Sequence, residues 1–295
     1  MEIKIGNSPE SWGVMQAEDP NQISWDTYLD ELQKAGYGWT ELGPYGYLPT
    51  TIPVLKNELS KRNINITAAG ILVPLQEKVI PDNILEDITK YCILLNEIGS
   101  TFLNLVASFY DSPNSKFTDP PNKSNQALWN NIFDNLNTIG EYTLTKFNIH
   151  SQFHPCAGTF IESENEILNV LTNTDPQFIS LCLDTAHHAY CGGNPISFLE
   201  SHHSRIKYIH IKNIDLEIFQ EVKKNNLSWF EAVRRNIISE PNSGIIDYKK
   251  LLKELKKISF DGFAIVEHDI YNPPQTLPFK IAKKTRDYLK QINFE

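Results

Sequence analysis

The feature that most constrains this chain is the regular alternation of strand-like and helix-like segments along its 295 residues. Short runs of β-branched and apolar residues predict strands at 3–7, 39–43, 65–73, 101–107, 147–154, 178–184, 206–212 and 262–268. Apolar residues at helical spacing predict helices at 25–35, 52–62, 84–98, 128–139, 164–171, 196–202, 248–258 and 277–292. About eight consecutive strand–helix units in a chain of this length predict an α/β fold, a (β/α)8 TIM barrel, with residues 1–295 as a single domain.

Two features separate the barrel from its main rival, the doubly wound open sheet. No predicted strand is followed by a GxGxxG or Walker segment, the glycine-rich phosphate turns of that rival. No linker divides the chain, and the Pro-, Asn- and Ser-rich stretch at 112–124 is interpreted as a loop.

The interval 213–247 is far longer than an ordinary βα connection and contains amphipathic pieces of its own. Long loops on the carboxyl face of a barrel usually cover a site, so we expect this segment to be a lid.

The sixth predicted strand carries the clearest functional signal. It ends in Asp184, and His187 follows three residues later. Alternate side chains of a strand share a face, so Asp184 lies with Cys182 and Ser180 while the leucines between them point the other way. Catalytic groups of a TIM barrel gather at the carboxyl ends of strands, which makes Asp184 a candidate site residue. The alternative is that Asp184 only caps the helix that follows.

Four successive predicted strands, the fifth to the eighth, deliver imidazole or carboxylate groups near their carboxyl ends. The fifth offers His150, Gln152 and His154 on one face, the sixth Asp184, the seventh His210 and Lys212, and the eighth Glu267. In a barrel these ends converge on one mouth. Such a mixed set suits a divalent ion: Mn²⁺ or Co²⁺ is favoured, and Zn²⁺, Fe²⁺ or Mg²⁺ is compatible. The fifth-strand ligand stays open among its three candidates.

The composition limits the partners that we expect. A formal net charge of −9 and a pI near 5.4 argue against nucleic acid. No apolar run approaches the roughly 20 residues that span a bilayer, so no membrane partner is expected. The four cysteines are scattered without CxxC spacing and the first residues lack the pattern of a secretion signal, which predicts a cytoplasmic protein. The expected partner is a small molecule, and a homo-oligomer is compatible with the sequence.

Four segments carry a resemblance to a known family. They are NSPESWGV at 7–14, TELGPYGYLP at 40–49, FHPCAGT at 153–159 leading to LCLDTAH at 181–187, and HIKN at 210–213 with VE at 266–267. On these residues the chain resembles the xylose isomerase-like barrel superfamily of sugar isomerases and epimerases, and within it the inosose (2-keto-myo-inositol) dehydratase branch. The likeness runs from end to end and includes FEAVR at 230–234 in the expected lid.

The resemblance implies roles for individual residues. It places the metal ligands at His154, Asp184, His210 and Glu267. The candidates for proton transfer are Glu41, His187 and Lys212, which the sequence alone does not rank. The expected substrate-binding residues are Trp12, His150, Gln152 and Cys156. Two positions depart from the branch: Cys156 stands where a further histidine is expected, and Asn213 stands where an aspartate commonly follows the lysine.

The implied activity is metal-dependent dehydration of a cyclic keto-polyol through an enediolate, whose charge a divalent ion can stabilise. A second hypothesis is a metal-dependent sugar or keto-sugar isomerase or epimerase, in which the proton returns elsewhere and no hydroxyl departs. A third, from a different class, is a barrel that binds a polyol without chemistry. A metal assay discriminates this third hypothesis, because a pure binder needs no divalent ion.

Overall fold

The computed structural model describes residues 3–110 and 122–294. The first half of this part contains β1 (Ile3–Asn7), α1 (Trp25–Ala35), β2 (Trp39–Thr40), α2 (Ile52–Arg62), β3 (Asn65–Ile66), β4 (Ala68–Val73), α3 (Asp82–Glu97), β5 (Phe102–Ala107), α4 (Gln126–Phe147) and β6 (His150–Phe153). The second half contains α5 (Glu164–Asn173), β7 (Ile179–Asp184), α6 (Thr185–Tyr190), α7 (Pro195–His202), β8 (Ile206–Ile211), β9 (Asn213–Ile214), α8 (Leu216–Asn225), α9 (Trp229–Arg234), β10 (Ile238–Ser239), α10 (Tyr248–Lys257), β11 (Gly262–Val266) and α11 (Leu277–Gln291). Most of the loop predicted at 112–124 lies outside the described residues.

The main sheet is closed into a barrel because its two edge strands are consecutive in the chain and only one residue lies between them. Its nine strands are parallel neighbours in the order β3-β2-β1-β11-β8-β7-β6-β5-β4. The two edge strands, β3 and β4, are separated only by Thr67, so they form one interrupted strand and the sheet has eight strand positions. Thr67 N donates to Thr40 O at 2.8 Å and Leu42 N to Ala68 O at 2.9 Å, which continues the ladder across the interruption. The predicted single-domain (β/α)8 barrel is confirmed.

Apolar residues fill both sides of the barrel wall. The outward faces of the strands and the inner faces of the helices form one continuous core. Inside the barrel, Ala68, Cys182, Tyr208 and Ile265 make a second buried cluster, against which Phe102 and Phe263 pack. The Phe102 ring lies edge-on to Tyr208, with ring centroids 5.8 Å apart. This packed interior leaves the polar residues at the carboxyl ends of the strands as the lining of the mouth.

Two local differences from the sequence-based expectation have simple backbone causes. The fifth strand was expected from residue 147, but α4 continues through Phe147 and ends where Asn148 turns left-handed with φ 55°. Asparagine tolerates this conformation, which commonly terminates helices. The short helix α6 begins directly after β7, ahead of the helix predicted at 196–202, because Asp184 caps it.

The 213–247 segment is anchored by the side chain of Asn213. This side chain is fully buried; its Nδ2 donates to Pro241 O at 3.1 Å and to Ile246 O at 2.9 Å. Its Oδ1 accepts from the backbone N–H groups of Ile214 and Ile246. An aspartate at this position has no N–H groups to give the two carbonyls. The departure at Asn213 is therefore explained by the way that the segment is fastened to the barrel.

We expect Asn213→Asp to lower the free energy of unfolding by about 2–3 kcal/mol, because two buried carbonyls lose their donors and face a carboxylate. Urea unfolding of the metal-free chain measures the change. Asn225→Asp is the matched control, since the Asn225 amide donates to Glu221 O in an exposed position. Equal stability of the two variants would contradict the anchoring role.

Candidate metal centre and active site

Four predicted ligands converge at the mouth because neighbouring strands hold them in register. Asp184 on β7 is the Cα partner of His210 on β8. His154 N donates to Leu105 O at 2.9 Å, and Glu267 N to Ile211 O at 3.1 Å, so the backbone fixes the residues that follow β6 and β11. Each of the four is at most 7% exposed. The structure thus brings together the set that the sequence predicts.

The distances between these side chains suit a shared cation. His210 Nδ1 lies 3.2 Å from Glu267 Oε2 and 3.8 Å from Asp184 Oδ2, which is also 3.8 Å from His154 Nε2. Ligand atoms about 2.0–2.2 Å from one ion lie roughly 3–3.5 Å from each other at tetrahedral or octahedral angles. Asp184 Oδ2 and His210 Nδ1 are buried without a hydrogen-bond partner in the described part of the chain. Both atoms have charged neighbours instead, Asp184 Oδ2 the Lys212 ammonium at 3.2 Å and His210 Nδ1 the Glu267 carboxylate at 3.2 Å, and buried polar atoms without a hydrogen bond fit a divalent metal ion.

Glu41 orients the ring of His210. The Glu41 Oε1 atom accepts from His210 Nε2 at 2.9 Å, from Tyr208 OH at 2.7 Å and from Asn104 Nδ2 at 3.2 Å. A carboxylate only accepts, so Nε2 carries a proton, and the carboxylates of Glu267 and Asp184 face Nδ1. Burial lowers the pKa of His210, but Cys182, Glu267 and Glu41 raise it well above its usual range, so the ring holds a proton on Nδ1 that a metal ion would displace. Metal-binding histidines are commonly oriented in this way by an outer carboxylate. Tyr208 and Asn104 were not predicted as site residues.

Asp184 caps the helix that follows it and also faces the candidate site. Its Oδ1 accepts from the N–H groups of Ala186 and His187, each at 2.8 Å, and so caps α6. Its Oδ2 faces His154, His210 and Lys212. Burial raises the pKa of Asp184, but Lys212 and His187 outweigh it and hold that pKa well below its usual range. The carboxylate is therefore charged at neutral pH, with one oxygen for the helix and one for the site.

Lys212 is enclosed by three carboxylates. Its Nζ lies 2.6 Å from Glu267 Oε2, 2.9 Å from Asp269 Oδ2 and 3.2 Å from Asp184 Oδ2. Burial lowers the pKa of Lys212, but Asp184, Asp269 and Glu267 together raise it well above its usual range. The side chain is a buried cation in contact with both carboxylates of the candidate metal set. Asp269 is not among the residues predicted from the sequence, where its one signal is its position just beyond the last predicted strand.

His187 is held as a neutral donor. Its Nδ1 accepts from Ala157 N at 3.0 Å, and because a backbone N–H can only donate, the ring proton is on Nε2. The Nε2 atom lies 3.5 Å from Lys212 Nζ and 4.0 Å from Asp184 Oδ2. Burial lowers the pKa of His187 to about 4, although Asp184 opposes this. At neutral pH the imidazole is uncharged, and Nε2–H is the group that it can offer to a ligand.

Glu10 is a second carboxyl group that the sequence analysis did not single out. It belongs to the Pro9–Trp12 turn after β1, within the segment that carries the family resemblance. Its Oε2 is buried without a hydrogen bond to any described residue. Burial, with the charges of Glu267 and Glu41, raises the pKa of Glu10 to about 8. Glu10 therefore adds a neutral acid to the edge of the site at pH 7.

The four predicted substrate-binding residues are placed differently. Cys156 is buried beside the site, with Sγ 3.7 Å from His154 Nδ1. Gln152 is buried inside the barrel below His154, and both polar atoms of its amide lack partners among the described residues. His150 is exposed at the amino end of β6, roughly 13 Å below His154 at about 3.3 Å per strand residue. Trp12 packs edge-on against Tyr28 and donates from Nε1 to Glu31 Oε2 at 2.8 Å, in the outer core.

Comparisons with known proteins agree with this architecture. The sequence profile of the xylose isomerase-like TIM barrel family matches residues 29–292. A protein named inosose dehydratase from Mesomycoplasma hyopneumoniae strain 7448 is 32% identical, covering 98% of this chain and 96% of that protein.

Two solved structures have the same fold. The crystal structure of IOLI protein with a binding zinc atom has a TM-score of 0.73 at 15% identity, covering 99% of each chain. The probable 3-DHS dehydratase AsbF from Bacillus anthracis has a TM-score of 0.72 at 17% identity, covering 98% of this chain and 99% of that one. In the described part of the present chain, no helix is long and apolar enough to cross a bilayer.

We expect Asp184→Asn and Asp184→Ala to separate the two roles of the carboxylate in the metal-free chain. Both remove the charge, but asparagine keeps an oxygen for the N–H groups of Ala186 and His187. Asp184→Ala should therefore be less stable than Asp184→Asn by about 1 kcal/mol, measured by urea unfolding in chelator. Identical stability of the two variants would mean that Oδ1 contributes nothing as a cap.

Proposed function

The chain belongs to the xylose isomerase-like TIM barrel family, and we propose that it is a divalent-metal-dependent lyase that dehydrates a cyclic keto-polyol such as 2-keto-myo-inositol. The observation that carries this proposal is the buried cluster of His154, Asp184, His210 and Glu267 around Lys212. It is supported by the full-length likeness to proteins named inosose dehydratase, which are 32% identical in Mesomycoplasma hyopneumoniae and 28% identical in Bacillus cereus.

The four residues of the cluster would hold the ion through two imidazole nitrogens and two carboxylate oxygens. This donor set favours Mn²⁺ or Co²⁺ and also accepts Zn²⁺, Fe²⁺ or Mg²⁺. Cys182 lies within 4.8 Å of both histidines in ligand-atom distance, so a sulfur atom borders the cluster from below. When bound, a divalent ion supplies a Lewis acid that stabilises negative charge on the substrate oxygens.

The hydrogen bonds of the site support different roles for the three candidates for proton transfer. Glu41 is the base, because Oε1 is committed to three donors and Oε2 makes no hydrogen bond to any described residue. Its carboxylate takes the proton from the carbon next to the ketone, and an enediolate results. Lys212 and His187 are the donors, since one is a buried ammonium and the other presents Nε2–H. A proton from either group lets the neighbouring hydroxyl leave as water.

The contacts of the 213–247 segment support the proposal that it is a lid. The ring of Trp229 lies 4.4 Å from that of His187, and the ring of Phe230 lies 5.2 Å from that of Phe109 in the loop after β5. Arg234 lies over the ring of Tyr271, beyond β11, at 5.3 Å. These contacts join the segment to loops on opposite sides of the mouth. As a lid, it would exclude water from the enediolate and strengthen the electrostatic interactions around it.

The proposed reaction is tested by incubating the chain with 2-keto-myo-inositol and Mn²⁺ or Co²⁺ and following the mixture by NMR. We expect a dione and loss of water, and no conversion after chelation. Glu41→Gln should lower the turnover number by about 10²–10⁴-fold, the usual contribution of a general base. Asp184→Asn should abolish metal binding and activity in a folded protein.

Three outcomes would contradict the proposal. Formation of an isomeric ketose without loss of water would point to an isomerase or epimerase. Stoichiometric metal with no turnover of the keto-polyol would remove this substrate class. Full activity of Glu41→Gln would remove Glu41 as the base.

We expect Phe230→Ala to lower turnover severalfold while metal content stays at the wild-type level, because the contact between the lid and Phe109 is lost. Leu216→Ala is the control, since Leu216 belongs to the same segment and is 52% exposed. Size-exclusion chromatography accompanies the assay. A changed oligomeric state with unimpaired turnover would favour an interface over a lid.

A further inference from the structure

Lys212 and a bound divalent ion make competing demands on the same two carboxylate oxygens. The Lys212 ammonium lies 2.6 Å from Glu267 Oε2 and 3.2 Å from Asp184 Oδ2. Both oxygens belong to the proposed metal set, and both face His210 Nδ1. Two cations that share these ligands repel each other strongly in a buried site. Metal binding therefore requires Lys212 to give up one or both of these contacts.

A buried ammonium cannot give up its partners without a replacement. The Lys212 side chain is 1% exposed, so water is not at hand to solvate it. An unpaired buried charge raises the free energy of the metal-bound state, so the site would bind the metal more weakly. The site therefore needs a third anion that touches Lys212 and lies outside the metal set.

Asp269 meets this requirement. Its Oδ2 lies 2.9 Å from Lys212 Nζ, and its side chain is 13% exposed. It follows Glu267 by two residues, beyond the end of β11, and it contacts Lys212 rather than either histidine of the proposed metal set. The contact is a charge-assisted hydrogen bond, the strongest kind that a lysine makes.

We propose that Asp269 is a positioning residue that holds Lys212 beside the metal, so that Asp184 and Glu267 are free for the ion while Lys212 stays paired and within reach of the substrate. This inference rests on the proposed metal site but not on the proposed reaction. It predicts that Asp269 affects metal affinity through Lys212, although it is not itself a ligand.

The test is a double-mutant cycle read out as metal affinity. Isothermal titration calorimetry with Co²⁺ alone and with Zn²⁺ alone is applied to the chelator-stripped full chain, as wild type, Asp269→Asn, Lys212→Met and the double variant. We expect Asp269→Asn to weaken metal binding by about tenfold, as for one lost hydrogen bond to a charged group. Lys212→Met should tighten binding because the competing cation is gone. In the Lys212→Met background, Asp269→Asn should change the affinity much less.

Two controls separate this role from general effects. Asp287→Asn removes a carboxylate from an exposed pair with Lys283 and should leave metal affinity unchanged. Asp269→Glu keeps the charge and should retain more affinity than Asp269→Asn. Circular dichroism of the metal-free variants checks folding; if Asp269→Asn does not fold, the Lys212→Met and Asp269→Glu titrations decide the question.

Equal weakening by Asp269→Asn in both backgrounds would overturn the proposal, since Asp269 would then act only as a nearby negative charge. Unchanged or weaker binding by Lys212→Met would show that the lysine does not compete with the metal. A wild-type chain that binds neither ion would overturn the metal site and this inference together. A chain that binds the ion and behaves as expected in the cycle, but does not dehydrate the keto-polyol, would overturn only the proposed reaction.

Discussion

The concentration of negative charge in a dry barrel mouth is the constraint on which the site depends. Glu41, Asp184, Glu267 and Asp269 lie close together, and each is largely or fully removed from solvent. Buried like charges are tolerated only when cations and hydrogen-bond donors offset them. The pKa of His154 reflects this: burial lowers it, yet Cys156 and Asp184 help to raise it to about 9. The negative potential that stabilises a proton on His154 would also stabilise a divalent ion.

Much of the fold could be predicted because its signals are local. Hydrophobic periodicity marks the principal strands and helices, and the rule that strand ends meet at one face brings Asp184, His210 and Glu267 together with one residue of the fifth strand. The choice of His154 for that residue came from the family resemblance. What was missed depends on contacts between distant parts of the chain. Glu41 and His210 are 169 residues apart, and neither segment contains a pattern that predicts their hydrogen bond. The alternation of side chains shows which face of a strand a residue occupies, but not how far along the barrel axis it lies. It therefore grouped His150 with His154, although His150 lies at the opposite end of the barrel.

The two departures from the family pattern have different physical meanings. Asn213 uses both ends of its amide to fasten the 213–247 segment, so the departure concerns how the segment is held. Cys156 lies against His154, so that departure concerns the surroundings of a candidate ligand. A thiol is smaller than an imidazole and is a weaker hydrogen-bond partner. Asn213 therefore affects how the 213–247 segment is held, and Cys156 affects the environment of His154.

The strand order has a kinetic consequence. β11 lies between β8 and β1, so the sheet becomes a closed ring only when this last strand pairs on both sides. Glu267 follows β11 directly, and Ser8 Oγ, 259 positions earlier, donates to Glu267 Oε1 at 3.5 Å. Contacts of such long range form late in folding. An ion held by all four residues would thus find its full ligand set only in the closed ring, where it would slow unfolding more than it would speed folding. Metal retained through purification would in that case serve as a marker of completed barrels.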